Sequence, residues 1–214
     1  MPSENPEFFD NRDFPWTRML EENWQDIRQE LDNLPKDAFG QWPRDHMFDN
    51  QWNLFLFRTP GRRFDKNCEL CPKTAALVDK IPGLTMATYS WLRPQSAIKA
   101  HVGFTTIVLR SHLALKVPEG GDIGFRVGKT SKRWEEGKVM VFDDMHNHEA
   151  WNWSDEERVV LMLDFLRPWK FRTSALGHIR QRIFPPKDYK QSYDYAISEA
   201  EKFVETEDPR LIKS

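Results

Sequence analysis

The stretch His101-Val-Gly-Phe-Thr-Thr-Ile-Val-Leu-Arg-Ser-His-Leu-Ala-Leu-Lys-Val117 is an apolar run that alternates like a β-strand, yet it holds two histidines and an arginine. A buried strand carries His101, Arg110 and His112 at a cost unless each meets a partner. Whatever satisfies them decides what the protein is for.

Working outward, residues 84–168 continue in the same style. Thr85–Leu92, Ala97–His101, Thr105–Val117, Ile123–Val127, Lys138–Phe142 and Arg158–Phe165 are rich in β-branched and aromatic residues. Pro94, Pro118-Glu-Gly-Gly121, Gly128, Glu136-Gly137 and Asn152-Trp-Ser-Asp155 punctuate them as turns. Short strands at this spacing predict an antiparallel sandwich or barrel, with double-sheet jelly rolls among the candidates. Before this zone, Trp24, Ile27, Leu31 and Leu34 fall at helical spacing ahead of Pro35, and Cys71–Lys80 reads as a short helix opened by Pro72 and closed by Ile81-Pro-Gly83. Beyond it, Tyr193, Ile197, Ala200 and Val204 mark one face of a further helix. The expected organisation is a single domain over 1–214, mainly β with flanking helices: a helical N-terminal region over 1–83, a β core over 84–168 and a C-terminal helical extension over 169–214.

The chain has 214 residues, enough for one well-filled domain, and 31 Lys+Arg against 33 Asp+Glu leave a formal charge of -2. No global field draws it to nucleic acid or to an anionic membrane. The sequence contains neither a signal-peptide pattern nor a membrane span, so a cytoplasmic protein is expected. In that setting Cys68 and Cys71 read as thiols: either they pack at a helix start, or they clamp a metal with His46.

Six histidines occur, at 46, 101, 112, 146, 148 and 178, and four of them lie in the strand-rich zone. His146 and His148 are two apart, so in an extended segment they share a face. Imidazole is the commonest protein ligand of first-row transition metals, and histidines converging inside a barrel would hold one; hydrogen-bonded core histidines are the alternative. Arg158 opens the apolar strand Val159-Val-Leu-Met-Leu163 and requires an anion. Either Asp164 or a neighbouring acid supplies it, or a bound dicarboxylate does.

These residues carry a resemblance. His101-x-Gly103, Leu109-Arg-x-His112, Trp134-x-Glu-Gly-Lys138, Phe142-Asp-Asp144, His148-Glu-x-Trp-Asn152 and Arg158-Val-Val-Leu161 make Ser90–Pro168 resemble the aspartyl/asparaginyl β-hydroxylase family. The resemblance implies a double-stranded β-helix, the cupin-like form of the jelly roll, for 84–168. It implies an iron(II)- and 2-oxoglutarate-dependent dioxygenase, consuming O2, that hydroxylates an unactivated carbon while 2-oxoglutarate is decarboxylated to succinate and CO2. His101 and His148 match the two metal ligands, and Gly103 stands where most such oxygenases add a carboxylate ligand, as in this family. Arg158 and Ser90 match the residues at the far carboxylate of 2-oxoglutarate; Arg110 and His112 match those around its nearer end. Catalytic roles are thereby expected for His101, His148 and Arg158.

The chain also departs from the family. Val108 replaces the basic residue that binds a substrate carboxylate in peptide-hydroxylating members, Ala100 replaces a proline, and Thr106 replaces a polar residue such as Asn. A small molecule, an amino-acid derivative or a peptide residue is the expected substrate, with Val108, Trp91, His146 and Trp151 as candidate pocket residues and His146 as a rival metal ligand. Asp143 and Asp144 read as turn or supporting residues that could in principle replace the missing carboxylate. The competing readings are a non-catalytic jelly-roll binding module, a cupin-like hydrolase or isomerase that uses a metal without 2-oxoglutarate, and an aspartyl/asparaginyl peptide hydroxylase proper.

Overall fold

The computed structural model describes residues 6–41, 48–49 and 51–171. The helix expected around 193–204, the extension beyond residue 171, His46 and His178 lie outside the described residues. In chain order the elements are β1 (Phe8–Phe9), α1 (Trp16–Glu22), α2 (Trp24–Asn33), β2 (Gly40–Gln41), β3 (Phe48–Asp49), β4 (Trp52–Thr59), β5 (Arg62–Arg63), α3 (Asp65–Leu70) and α4 (Pro72–Val78). The β-rich half follows: β6 (Leu84–Leu92), β7 (Ser96–His101), β8 (Val108–Lys116), β9 (Asp122–Val127), β10 (Thr130–Lys132), β11 (Val139–Phe142), β12 (His148–Trp153) and β13 (Arg158–Leu166).

Two antiparallel sheets face each other. The larger runs β1-β11-β8-β13-β6-β4-β2, with β5 folded back on β4, and the smaller runs β10-β9-β12-β7-β3. Apart from the β9–β10 hairpin, consecutive strands of the central zone alternate between the sheets, which is the winding of a double-stranded β-helix. The expected boundary at residue 84 does not separate helices from sheet: β4, β2 and β1 extend the larger sheet on both flanks, because the apolar strand Trp52–Thr59 pairs along β6.

The pleat divides the core into two layers. Leu109, Leu113, Leu115, Leu161, Leu163, Tyr89 and Trp91 point to the helices, where they pack with Leu20 and Ile27. Leu92, Ala114, Val160 and Met162 point to the smaller sheet and pack with Phe125, Val127 and Ala150. Along β8, β13 and β6 from Met86 onward, the odd-numbered residues face the helices and the even-numbered residues face the second sheet.

The helices are tied to the sheet by buried polar contacts. Glu30 of α2 accepts hydrogen bonds from the Lys73 and Thr74 backbone N–H groups, both at 2.8 Å, and so caps α4. The Thr74 hydroxyl meets the Tyr89 hydroxyl at 2.8 Å, and Tyr89 donates to the Ile27 carbonyl. Cys68 and Cys71 are buried free thiols in this helix-side core, where burial raises both pKa values; neither faces the pocket described below.

β8 starts at Val108 rather than at Thr105, because residues 102–107 form a loop bonded to other partners. Gly103 N–H donates to the Asp144 carbonyl at 2.7 Å, and Arg167 donates from its backbone N–H to Ile107 O and from Nε to Thr106 O, each at 2.8 Å. The same guanidinium meets Asp143 Oδ1 at 2.6 Å, with both side chains fully buried. Arg167 therefore binds the loop after His101 to the turn before His148. Arg167→Met should cost roughly 3–5 kcal/mol in urea unfolding, since it strands the Asp143 carboxylate without this cation. The Arg167→Met/Asp143→Leu double variant should recover most of that loss, and two additive losses would contradict the coupling.

Candidate active site

The pocket lies between the sheets at the end of the barrel where β7 and β12 pair. His148 stands opposite His101 in register, and the two imidazoles approach to 4.1 Å between ring centroids. His101 Nδ1 sits 2.7 Å from the Lys99 carbonyl, and His148 Nδ1 sits 2.9 Å from the His146 carbonyl. A carbonyl can only accept, so each Nδ1 carries a proton, and a neutral ring then has its lone pair on Nε2, the tautomer a metal-binding imidazole needs. Burial, with His101 adding to it, pushes the His148 pKa down to about 3, so the ring is neutral. Among the described residues no three His, Cys, Asp or Glu side chains gather to hold a metal.

Gly103 leaves no room for a side chain two residues after His101. A Cβ built at Gly103 would lie 2.5 Å from Asp144 Cγ and Oδ1, so the space a side chain would fill is already taken by the Asp144 carboxyl group. That carboxyl group is buried with its pKa raised to about 7, through desolvation opposed by Arg110 at 3.7 Å and reinforced by Asp164.

Deeper in, the pocket is lined by Ser90, Arg110, His112 and Arg158 from the larger sheet. All four numbers are even, and the pleat alone brings them to one face. The two arginines have different fates. Arg110 Nε and Nη2 donate to Asp164 at 2.7 and 2.8 Å, a two-pronged pair between directly opposed residues of β8 and β13. Asp164 is thus committed to Arg110 and does not serve Arg158, although both lie on β13.

Arg158 is 1% exposed, and among the described residues no carboxylate is within ion-pair distance of it. Its Nη1 reaches the Ser90 carbonyl at 3.4 Å, its Nε has no acceptor, and its guanidinium lies 4.6 Å over the Trp134 ring. Burial lowers its pKa to about 9, which leaves it cationic at neutral pH. His112 is held neutral by burial and by the nearby arginines, and its Nε2 has no partner among the described residues. The Ser90 hydroxyl accepts from Trp52 Nε1 at 2.9 Å, which leaves its own proton to donate elsewhere. A buried cation and two further donors, all short of acceptors, make a receptor for a small carboxylate. Phe125, Phe142, Ile98 and Met162 wall the pocket with apolar surface.

The four expected substrate-pocket residues fall elsewhere. Trp91 is odd-numbered on β6, so it faces the helices, against Phe39 and beneath Arg93. Trp151 alternates with Ala150 and Asn152 on β12; it lies on the outer face over Gly124 and donates to Asp122 at 2.8 Å. His146 precedes β12 in a turn, so strand parity does not put its ring beside His148, and it is its carbonyl that meets the His148 ring. Val108 is on the Arg110 face but is 1% exposed and paired with Leu166, away from the pocket lining. Sequence reasoning missed Trp52, Phe125, Phe142 and Met162; the even spacing Arg158-x-Val160-x-Met162 was the signal for the last.

An oxidoreductase of the 2OG-Fe(II) oxygenase family from Burkholderia pseudomallei matches with a TM-score of 0.50 over 69% of this chain and 80% of that one, at 13% identity, a likeness of fold. The sequence is more specific: the profile of the aspartyl/asparaginyl beta-hydroxylase family matches residues 21–168, and the chain belongs to that family. An ornithine lipid ester-linked acyl 2-hydroxylase of Rhizobium tropici is 39% identical over 175 residues, which cover 78% of this chain and 62% of that protein. The human aspartyl/asparaginyl beta-hydroxylase is 34% identical over 159 residues, 71% of this chain but only 21% of that protein. The chain thus spans less than two thirds of the length of these relatives.

Asp144 gives a pH signature. Its folded pKa of about 7 exceeds its ordinary value of 3.8, so the fold favours the protonated form. The stability linked to it is complete below the ordinary value and is lost as pH rises towards 7. Asp144→Asn should therefore raise the melting temperature at pH 8 and change it little at pH 4, as read by calorimetry across that range.

Proposed function

We propose that the protein is an iron(II)- and 2-oxoglutarate-dependent hydroxylase. The observation that carries this reading is Arg158, a buried guanidinium with no carboxylate partner among the described residues, at the floor of a pocket that also holds the paired histidines. A buried charge left in this state costs several kcal/mol, and a dianionic cosubstrate offsets that cost when it binds. Iron would be held by His101 and His148 Nε2, and when bound it supplies O2 activation coupled to decarboxylation of 2-oxoglutarate to succinate and CO2.

The protein's own contribution is positional. Arg158 binds one carboxylate of the dicarboxylate, with the Ser90 hydroxyl beside it. His112 donates from Nε2 to the nearer end. Arg110, neutralised by Asp164, shapes the wall and adds little net charge. The rings of Phe125 and Phe142 keep water from the space between the histidines and the cosubstrate.

For the substrate, the reading is an apolar carbon rather than an acidic peptide residue. Ile98, Phe125, Phe142 and Met162 give the pocket apolar walls, and the Rhizobium relative is named for an acyl group. Against a non-catalytic binding module stands the joint presence of two tautomer-fixed histidines and a carboxylate receptor in one pocket.

With iron(II), ascorbate and 2-oxoglutarate, purified protein should produce succinate, and 2-oxoglutarate should raise the melting temperature. Arg158→Met should abolish the thermal shift while the variant stays folded. Absence of both succinate and shift in the wild type would overturn the reading, and a shift that persists in Arg158→Met would remove Arg158 from its role.

A further inference from the structure

Trp134, in the loop between β10 and β11, is 2% exposed and belongs to the Trp-x-Glu-Gly-Lys motif that the proposed ligands do not use. Its loop is tightly held. Arg133 Nη2 donates to the Pro118 carbonyl at 2.6 Å, Gly137 N–H donates to the Ala114 carbonyl at 2.9 Å, and Gly137 takes the left-handed φ of 75° against the Trp24 ring. The indole is wedged behind the pocket, stacked on Phe125 at 5.4 Å and 24°.

From there it reaches two pocket residues at once. Its face lies 4.6 Å from the Arg158 guanidinium carbon, and its Nε1 is 3.4 Å from His112 Nδ1. An indole N–H can only donate, so His112 Nδ1 must be the acceptor and the His112 proton must sit on Nε2. That nitrogen has no partner among the described residues, and His112 lines the pocket. The indole thereby turns His112 into a donor aimed at a ligand. Toward Arg158 the ring face attracts the cation without neutralising it, as a carboxylate would. A buried carboxylate at this place would compete with an incoming anion; an indole does not.

We propose that Trp134 is the positioning residue of the carboxylate receptor, fixing the His112 tautomer through its N–H and holding Arg158 in place through its ring face while the site awaits its anion. This rests on the 2-oxoglutarate reading above for the identity of the anion, though not for the tautomer.

Two measurements test it. In wild-type protein labelled with 15N-histidine, with neither metal nor 2-oxoglutarate added, the His112 ring should appear as the neutral Nε2–H form, assigned by its loss in His112→Asn. A neutral Nδ1–H form would overturn the proposal without any Trp134 variant having to fold. Trp134→Phe keeps a ring face and loses the N–H. It should weaken 2-oxoglutarate binding, measured by calorimetry with manganese(II) in place of iron, roughly three- to tenfold, the size of one lost hydrogen bond. Its His112 signal should shift toward a mixture of tautomers, and its 2-oxoglutarate KM should rise with kcat little changed. Trp134→Leu, which loses the face as well, should bind about a hundredfold more weakly than wild type. A folded Trp134→Phe with wild-type affinity and an unchanged His112 spectrum would overturn the proposal. Failure of the wild type itself to bind 2-oxoglutarate would instead sink the proposed function, and the His112 spectrum would still decide whether Trp134 sets its tautomer.

Discussion

The pleat of the larger sheet is the constraint from which the site follows. Successive side chains of β6, β8 and β13 point to opposite faces, so one face supplies the layer that binds the helices and the other supplies the pocket. Ser90, Arg110, His112, Arg158 and Asp164 come from three strands yet share the pocket side. A slip of one residue in β8 or β13 would bury the helix-facing leucines against the smaller sheet and drive a charge into the helix layer. The register that makes the core therefore also makes the site, and neither can be altered alone.

Within that layer the charges are arranged asymmetrically. Arg110 and Asp164 meet across neighbouring strands and cancel, which lets β8 and β13 carry charged side chains in the interior. Arg158, on the same strand as Asp164, is left with an aromatic face and a distant carbonyl. Arg158 thus stays a buried cation without a carboxylate partner among the described residues, and Ser90 and His112 line the same pocket. That arrangement costs stability locally, a cost an anion would offset. The histidine pair follows the same logic in reverse: backbone carbonyls hold the Nδ1–H of both rings, burial keeps His148 neutral, and a cation is what the Nε2 side of such a pair would attract.

The supporting contacts explain how two loops far apart in sequence keep the histidines face to face. Gly103 admits the Asp144 carboxyl group, its N–H binds the Asp144 carbonyl, and Arg167 spans from Thr106 to Asp143. Loss of any one of these would let His101 and His148 drift independently. A metal held by two imidazoles has fewer protein ligands to correct such drift than one held by three, so these contacts carry more of the burden of geometry.

Local sequence was sufficient for several features. The helix over Trp24–Asn33, the short helix opened by Pro72 and most strands of 84–168 follow from periodicity and punctuation, because apolar spacing and proline act within a few residues. The ordered motifs from His101 to Arg158 carried the family. Sequence alone did not determine which acid neutralises which arginine, since Asp164 is closer in sequence to Arg158 but faces Arg110 across the ladder. Nor could it place Trp91 and Trp151, whose nearness to site residues in sequence becomes distance in space when the pleat turns alternate side chains apart. Trp134 could be read from the sequence only as one member of a motif. Its contact with both His112 and Arg158 arises where a loop, two strands and a helix meet, and such a junction is fixed by long-range packing that no local pattern encodes.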